Sequence, residues 1–156
     1  MLSSGNSRSQ LPTDVLDLLR EFSARDVRYL VVGAHALGYW GLPRATGDFD
    51  LLIEPTDDNA LRVFAALQAF GAPLFDLTVE DLATPGVVFQ IGVPPYRIDL
   101  ITRVSGVTFD EAWSERAVAE LPGLSLPIIG RQALIRNKRA SGRPKDLVDL
   151  QMLGED

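Results

Sequence analysis

The sequence contains no cysteine. Disulfides, thiolate metal sites and cysteine nucleophiles are therefore excluded together. It has a single histidine, His35, too few for a recognisable zinc cluster. No stretch approaches the roughly 18 consecutive apolar residues of a membrane span. The first ten residues, MLSSGNSRSQ, lack the apolar run of a signal peptide. They read as a flexible leader (1–10) ahead of one domain (11–156), and a chain without cysteines, leader peptide or span is expected in the cytoplasm. Positive charge is in the minority, with 15 Lys and Arg against 21 Asp and Glu, net −6. That argues against a surface coated in positive charge for nucleic acid, while leaving room for a local basic patch.

What remains is ordinary for a globular protein: 156 residues, 46% hydrophobic and 23% charged, enough for one core. Leu11–Ala24 reads as a helix, with Val15, Leu18, Leu19 and Phe22 at helical spacing. The apolar run from Arg28 to Gly33 reads as a buried strand that turns at Gly33 into a short helix, Ala34–Trp40. Leu42–Gly47 reads as a loop and Asp48–Glu54 as the second strand. Thr56 is a suitable cap for a helix that ends at Phe70 before Gly71. Val87–Ile91 and Tyr96–Thr102 read as a hairpin across Gly92–Pro95. Phe109–Ala117 follows as a helix, Leu126–Ile129 as a strand, and Arg131–Arg139 and Pro144–Leu153 as closing helices. The predicted class is α/β (α+β), a mixed central sheet of about five strands flanked by helices.

Aspartate is disfavoured inside strands, and a buried charge needs compensation. Alternation along a strand puts Asp48 and Asp50 on one face. Asp99 sits between Ile98 and Leu100 on a later strand. A hard divalent cation gives these three carboxylates a common purpose, since magnesium takes oxygen ligands and closely spaced carboxylates can hold one ion or a pair. Asp99 could also accept a proton from an attacking hydroxyl. The plainer alternative is that Asp48 caps a loop and Asp50 faces solvent.

Gly33 stands where a strand becomes a helix, a place where phosphate can approach backbone N–H groups; a tight turn alone would also demand glycine. Arg44 and Thr46 continue the alternation as R-x-T-x-D-x-D. An extended chain there would set all four side chains on one side, with Arg44 able to hold phosphate or brace a carboxylate. His35 reads as a plain helix residue beside the turn. The stretch Arg131, Arg136, Lys138, Arg139, Arg143 and Lys145 reverses the local charge. It reads equally as a contact for the phosphates of a nucleotide or RNA and as a solvated helix face.

The run VVGAHALGYWGLPRATGDFDLLIEP, with RIDLIT after it, resembles the DNA polymerase β-like nucleotidyltransferase superfamily: a glycine turn at Gly33 and Ala34, D-x-D at Asp48 and Asp50, then Asp99. The R-x-T-x-D-x-D form and the tail LIRNKRASGRPKDLVDLQML look like small stand-alone bacterial members, which are similar to toxins of the abortive-infection type. The resemblance implies a nucleoside triphosphate substrate, Mg2+ or Mn2+ held by Asp48, Asp50 and Asp99, and two-metal transfer of a nucleotidyl group to RNA, protein or a small molecule. It further implies a phosphate contact from Lys138 and an antitoxin partner. Ala34 departs from the usual Ser or Gly and removes a hydroxyl contact. A non-catalytic nucleotide- or partner-binding module with the same fold is the competing expectation.

Overall fold

The computed structural model describes residues 11–44, 46–93 and 96–155. In chain order its elements are α1 (Thr13–Ala24), β1 (Tyr29–Val32), α2 (Gly33–Tyr39), β2 (Asp48–Ile53), α3 (Asp57–Phe70), α4 (Val79–Leu82), β3 (Val88–Val93), β4 (Tyr96–Ile101), α5 (Phe109–Ser114), β5 (Ala117–Leu121), β6 (Leu124–Ile128), α6 (Arg131–Ser141) and α7 (Pro144–Met152). The leader expected at 1–10 lies outside the described residues.

Every residue of β1 is buried, as expected of a short apolar strand covered on both faces. It occupies the interior of a six-stranded sheet ordered β3-β4-β2-β1-β6-β5. β1 runs antiparallel to β2 and parallel to β6, while β2 runs parallel to β4. The mixed α/β architecture is as expected, with one strand more. The helix expected over Phe109–Ala117 stops at Ser114, and Ala117–Leu121 forms an edge strand paired with β6. Its weak pattern, half-buried Ala117 and exposed Val118 and Glu120, hides it from a search for apolar alternation. The turn at Pro122 and Gly123, with Gly123 at φ 72°, was its only clear local signal.

The helices form where capping and periodicity converge. Val15, Leu18, Leu19 and Phe22 line the buried face of α1, and Phe22 packs against Tyr29 with ring centroids 5.2 Å apart. The Thr56 hydroxyl accepts from the Asn59 N–H and caps α3, and Gly71 ends it in the left-handed conformation, which glycine adopts without steric cost. Among the described residues no helix is long and apolar enough to cross a membrane.

Asn59 ties these layers together. Its fully buried side chain accepts from the Arg28 N–H at 2.8 Å and donates to the carbonyls of Arg28 and Glu54 at 3.0 and 2.9 Å. The start of α3 is thereby stitched to the entrance of β1 and the exit of β2. Asn59→Leu keeps the branching at Cγ but strands the Arg28 N–H away from water. The expected loss is about 2–3 kcal/mol, or about 5–10 °C in thermal midpoint for a chain of this size. A melting curve superimposable on the parent's would refute this role.

Candidate active site

The β2–β4 register sets Asp48 opposite Arg97 and Asp50 opposite Asp99. Cross-strand partners share a face, so the three aspartates predicted to act together do lie together. Apolar residues on either side hold them there: Phe49, Leu51, Ile98 and Leu100 are all buried. Asp99 is 13% exposed and Asp48 48% exposed, so one carboxylate of the cluster is sunk in the sheet and another reaches solvent.

Arg97, the cross-strand partner of Asp48, lies on this face too, and the sequence reading gave it no role. Its Nη2 donates to Asp48 Oδ2 at 3.2 Å, and its Nε lies 3.2 Å from Asp99 Oδ1. This second contact has ion-pair distance without hydrogen-bond geometry, and Nε and Oδ1, both buried, lack a hydrogen-bond partner. The signal was available in RID: a residue two before Asp99 must share its face.

Burial pushes the Asp50 carboxyl up to about 6, with Asp99 and Asp48 adding repulsion and a hydrogen bond to Asp99, while Arg97 opposes the rise. Burial also raises Asp99, against the pull of Arg97. Three carboxylates against one guanidinium leave excess negative charge in a half-desolvated place, where a cation is favoured.

Gly33 shapes the same spot. Its φ is 70°, and a Cβ there would stand 2.2 Å from Asp50 Oδ2. Glycine is thus required both by the turn and by the close approach of a carboxylate. This close approach, and an Asp99 Oδ1 that is ion-paired with Arg97 but accepts no hydrogen bond, fit a hard cation held by Asp48, Asp50 and Asp99. Even so, among the described residues no three His, Cys, Asp or Glu side chains are already converged into a metal cage.

The other expected residues are arranged differently. The strand begins at Asp48, not before it, so R-x-T-x-D-x-D is not one extended ladder. The Thr46 hydroxyl turns back to accept from the Asp48 N–H at 3.0 Å. Arg44 pairs with Asp149 of α7. Lys138 is buried, 3.3 Å from Asp146 and 3.0 Å from Asp149. Desolvation would raise Asp146, but hydrogen bonds from Arg143 and Lys138 outweigh it and hold its carboxyl down at about 2. Arg131 and Arg139 meet Glu155, and Arg136 meets Glu115. Much of the basic stretch is therefore matched by acid. Ala34, half-buried, follows Gly33 in α2.

His35 packs against Phe49 with ring centroids 4.3 Å apart and planes tilted by 34°, on the face of β2 opposite the aspartates. Burial lowers its pKa to about 4, against a hydrogen bond with the Asp48 backbone, so the ring is neutral at physiological pH. A cavity of ≈1020 Å³ opens on that same face, lined among others by His35, Phe49, Ile91 and Ile98, with Arg44 and Thr46 along it. None of the three aspartates lines it.

No protein-family model and no curated protein sequence matches the chain. Solved structures do match its fold. A candidate nucleotidyltransferase from Thermotoga maritima superposes with a TM-score of 0.56 at 13% identity, over 94% of this chain and 97% of the other. The lincosamide antibiotic adenylyltransferase LnuA, solved with lincomycin bound, superposes with a TM-score of 0.56 at 14% identity, over 92% and 96%. The sheet and its flanking helices thus form a nucleotidyltransferase-like fold.

Proposed function

We propose that the chain is a metal-dependent nucleotidyltransferase that moves a nucleoside monophosphate from a nucleoside triphosphate to a hydroxyl acceptor. The observation that carries this reading is the juxtaposition of Asp50 and Asp99 on adjacent parallel strands, with Asp48 on the same face. The likeness of the fold to nucleotidyltransferases adds to it.

Asp48, Asp50 and Asp99 would hold Mg2+ or Mn2+, which, when bound, neutralises phosphate charge and eases deprotonation of a hydroxyl. The protein's own contribution is positional. The buried flanks of β2 and β4 fix the carboxylates, and Gly33 leaves room for the Asp50 carboxylate to lie against the turn. The half-desolvated Asp99 carboxylate is suited to take the acceptor's proton. The backbone of Gly33 and Ala34, with Arg44, Thr46 and Lys138, is the proposed nucleotide-binding set; Arg44 and Lys138 would have to leave Asp149 to reach phosphate.

RNA, protein and small molecules all remain acceptors on this reading. The lincosamide adenylyltransferase among its structural neighbours makes small hydroxylated compounds worth including. The finer assignment to a cytoplasmic abortive-infection toxin with an antitoxin partner rests on the tail Leu134–Leu153. Ala34 and the pairing of Arg97 with two of the aspartates favour a second reading, a nucleotide-binding module without transfer.

Purified protein incubated with each α-labelled nucleoside triphosphate, Mg2+ and separate RNA, protein and small-molecule pools should transfer label to one of them. Asp50→Ala and Asp99→Asn should each lower that transfer by at least about a hundredfold. Metal-dependent nucleotide binding with no transfer to any pool decides for the second reading.

The same crowding predicts a conflict between function and stability. The Asp50 carboxyl sits at about 6 in the fold against an ordinary 3.8, so the folded state holds this proton more tightly than the unfolded chain. Its stabilising effect is complete below pH 3.8 and is lost as pH rises through 6. Metal-free protein should therefore lose up to about 1 kcal/mol between pH 5 and pH 8 from this group, after allowance for its partial exposure. Asp50→Asn should remove that decline and melt higher than the parent at pH 8 in a chelator. A parent whose melting point rises between pH 5 and 8, with Asp50→Asn tracking it, contradicts the assignment.

A further inference from the structure

We propose that Arg97 is an internal counter-cation that competes with the metal, so that metal binding exchanges a guanidinium for the ion. The inference rests on the metal site of the proposed function and adds a residue to it. Arg97 is the cross-strand partner of Asp48 and lies two residues from Asp99. Its guanidinium reaches both, at 3.2 Å each. It therefore neutralises two of the three proposed ligands from among them.

The contacts are suited to exchange. One is a true hydrogen bond, whereas the other leaves Arg97 Nε and Asp99 Oδ1 buried without hydrogen-bond partners. An imperfect pairing costs less to break than a bidentate one, because full strength needs two aligned N–H···O bonds. At 29% exposure the Arg97 side chain has solvent to move into. A resident cation at a carboxylate cluster has two opposite effects: it stabilises the metal-free fold by screening like charges, and it subtracts from the affinity of any ion that must displace it.

Arg97 is a positioning residue on this account, and its removal gives a result that a merely structural role would not. Mn2+ is titrated into metal-free protein while the signal of free Mn2+ is followed by electron paramagnetic resonance, and melting is recorded in parallel in a chelator. Folded Arg97→Met should bind Mn2+ at least tenfold more tightly than the parent, yet melt lower without metal. Adding Asp48→Asn to Arg97→Met should restore part of the lost melting temperature. Arg97→Gln, which keeps hydrogen-bond donors at the site, carries the same test should Arg97→Met not fold. Measurable Mn2+ affinity that is equal or weaker in the folded variant overturns the exchange and leaves the metal site standing. Absence of Mn2+ binding in parent and variant alike overturns the metal site and the exchange with it.

Discussion

The parallel register of β2 and β4 brings Asp50 and Asp99 side by side, and like charges placed opposite one another oppose folding. The surrounding structure offsets that repulsion. Leu51, Leu52, Ile53 and Leu100 are almost wholly buried and keep the two strands in place by removing apolar area from water. Asn59 secures the far end of β2 through Glu54. Gly33 lacks the Cβ that would strike Asp50. Arg97 and a raised Asp50 carboxyl answer the remaining charge locally. A fold concerned only with stability has no reason to accumulate carboxylates at this register, and that excess is the strongest physical argument for a cation-dependent role.

The features legible in the sequence are those fixed by local chemistry. Thr56 and Gly71 mark the ends of α3 because a cap hydroxyl and a left-handed turn each demand particular residues. The period of two places Asp48 and Asp50 on one face, and the apolar neighbours of Asp99 identify a strand. That β2 and β4 are adjacent could not be read from periodicity, because strand order is decided by packing between distant segments. The same limit hides the partner of Arg44: Asp149 lies 105 positions away in the chain. β5 was missed for a different reason. At the sheet edge one flank faces solvent, so its apolar alternation is diluted. Arg97 was visible as a face-sharing residue, but a cation among carboxylates acquires meaning only when the distances are known.

The C-terminal charges show why position outweighs count. Lys138, Arg143 and Arg44 converge on Asp146 and Asp149, two carboxylates that are almost completely buried. Buried ion pairs offset their own desolvation only when geometry and further hydrogen bonds are good. Here they join α6 and α7 to each other and to Arg44. Cations engaged in that task must first leave these carboxylates before they can draw in a triphosphate. A net charge of −6 and a carboxylate cluster would repel bare polyphosphate. On the proposed function, the incoming nucleotide is therefore best received as its metal complex, whose cation supplies the attraction that the committed lysine and arginines do not. The metal then links substrate recognition to the carboxylates, and Arg97, the cation it would displace, is the residue that sets how readily that link forms.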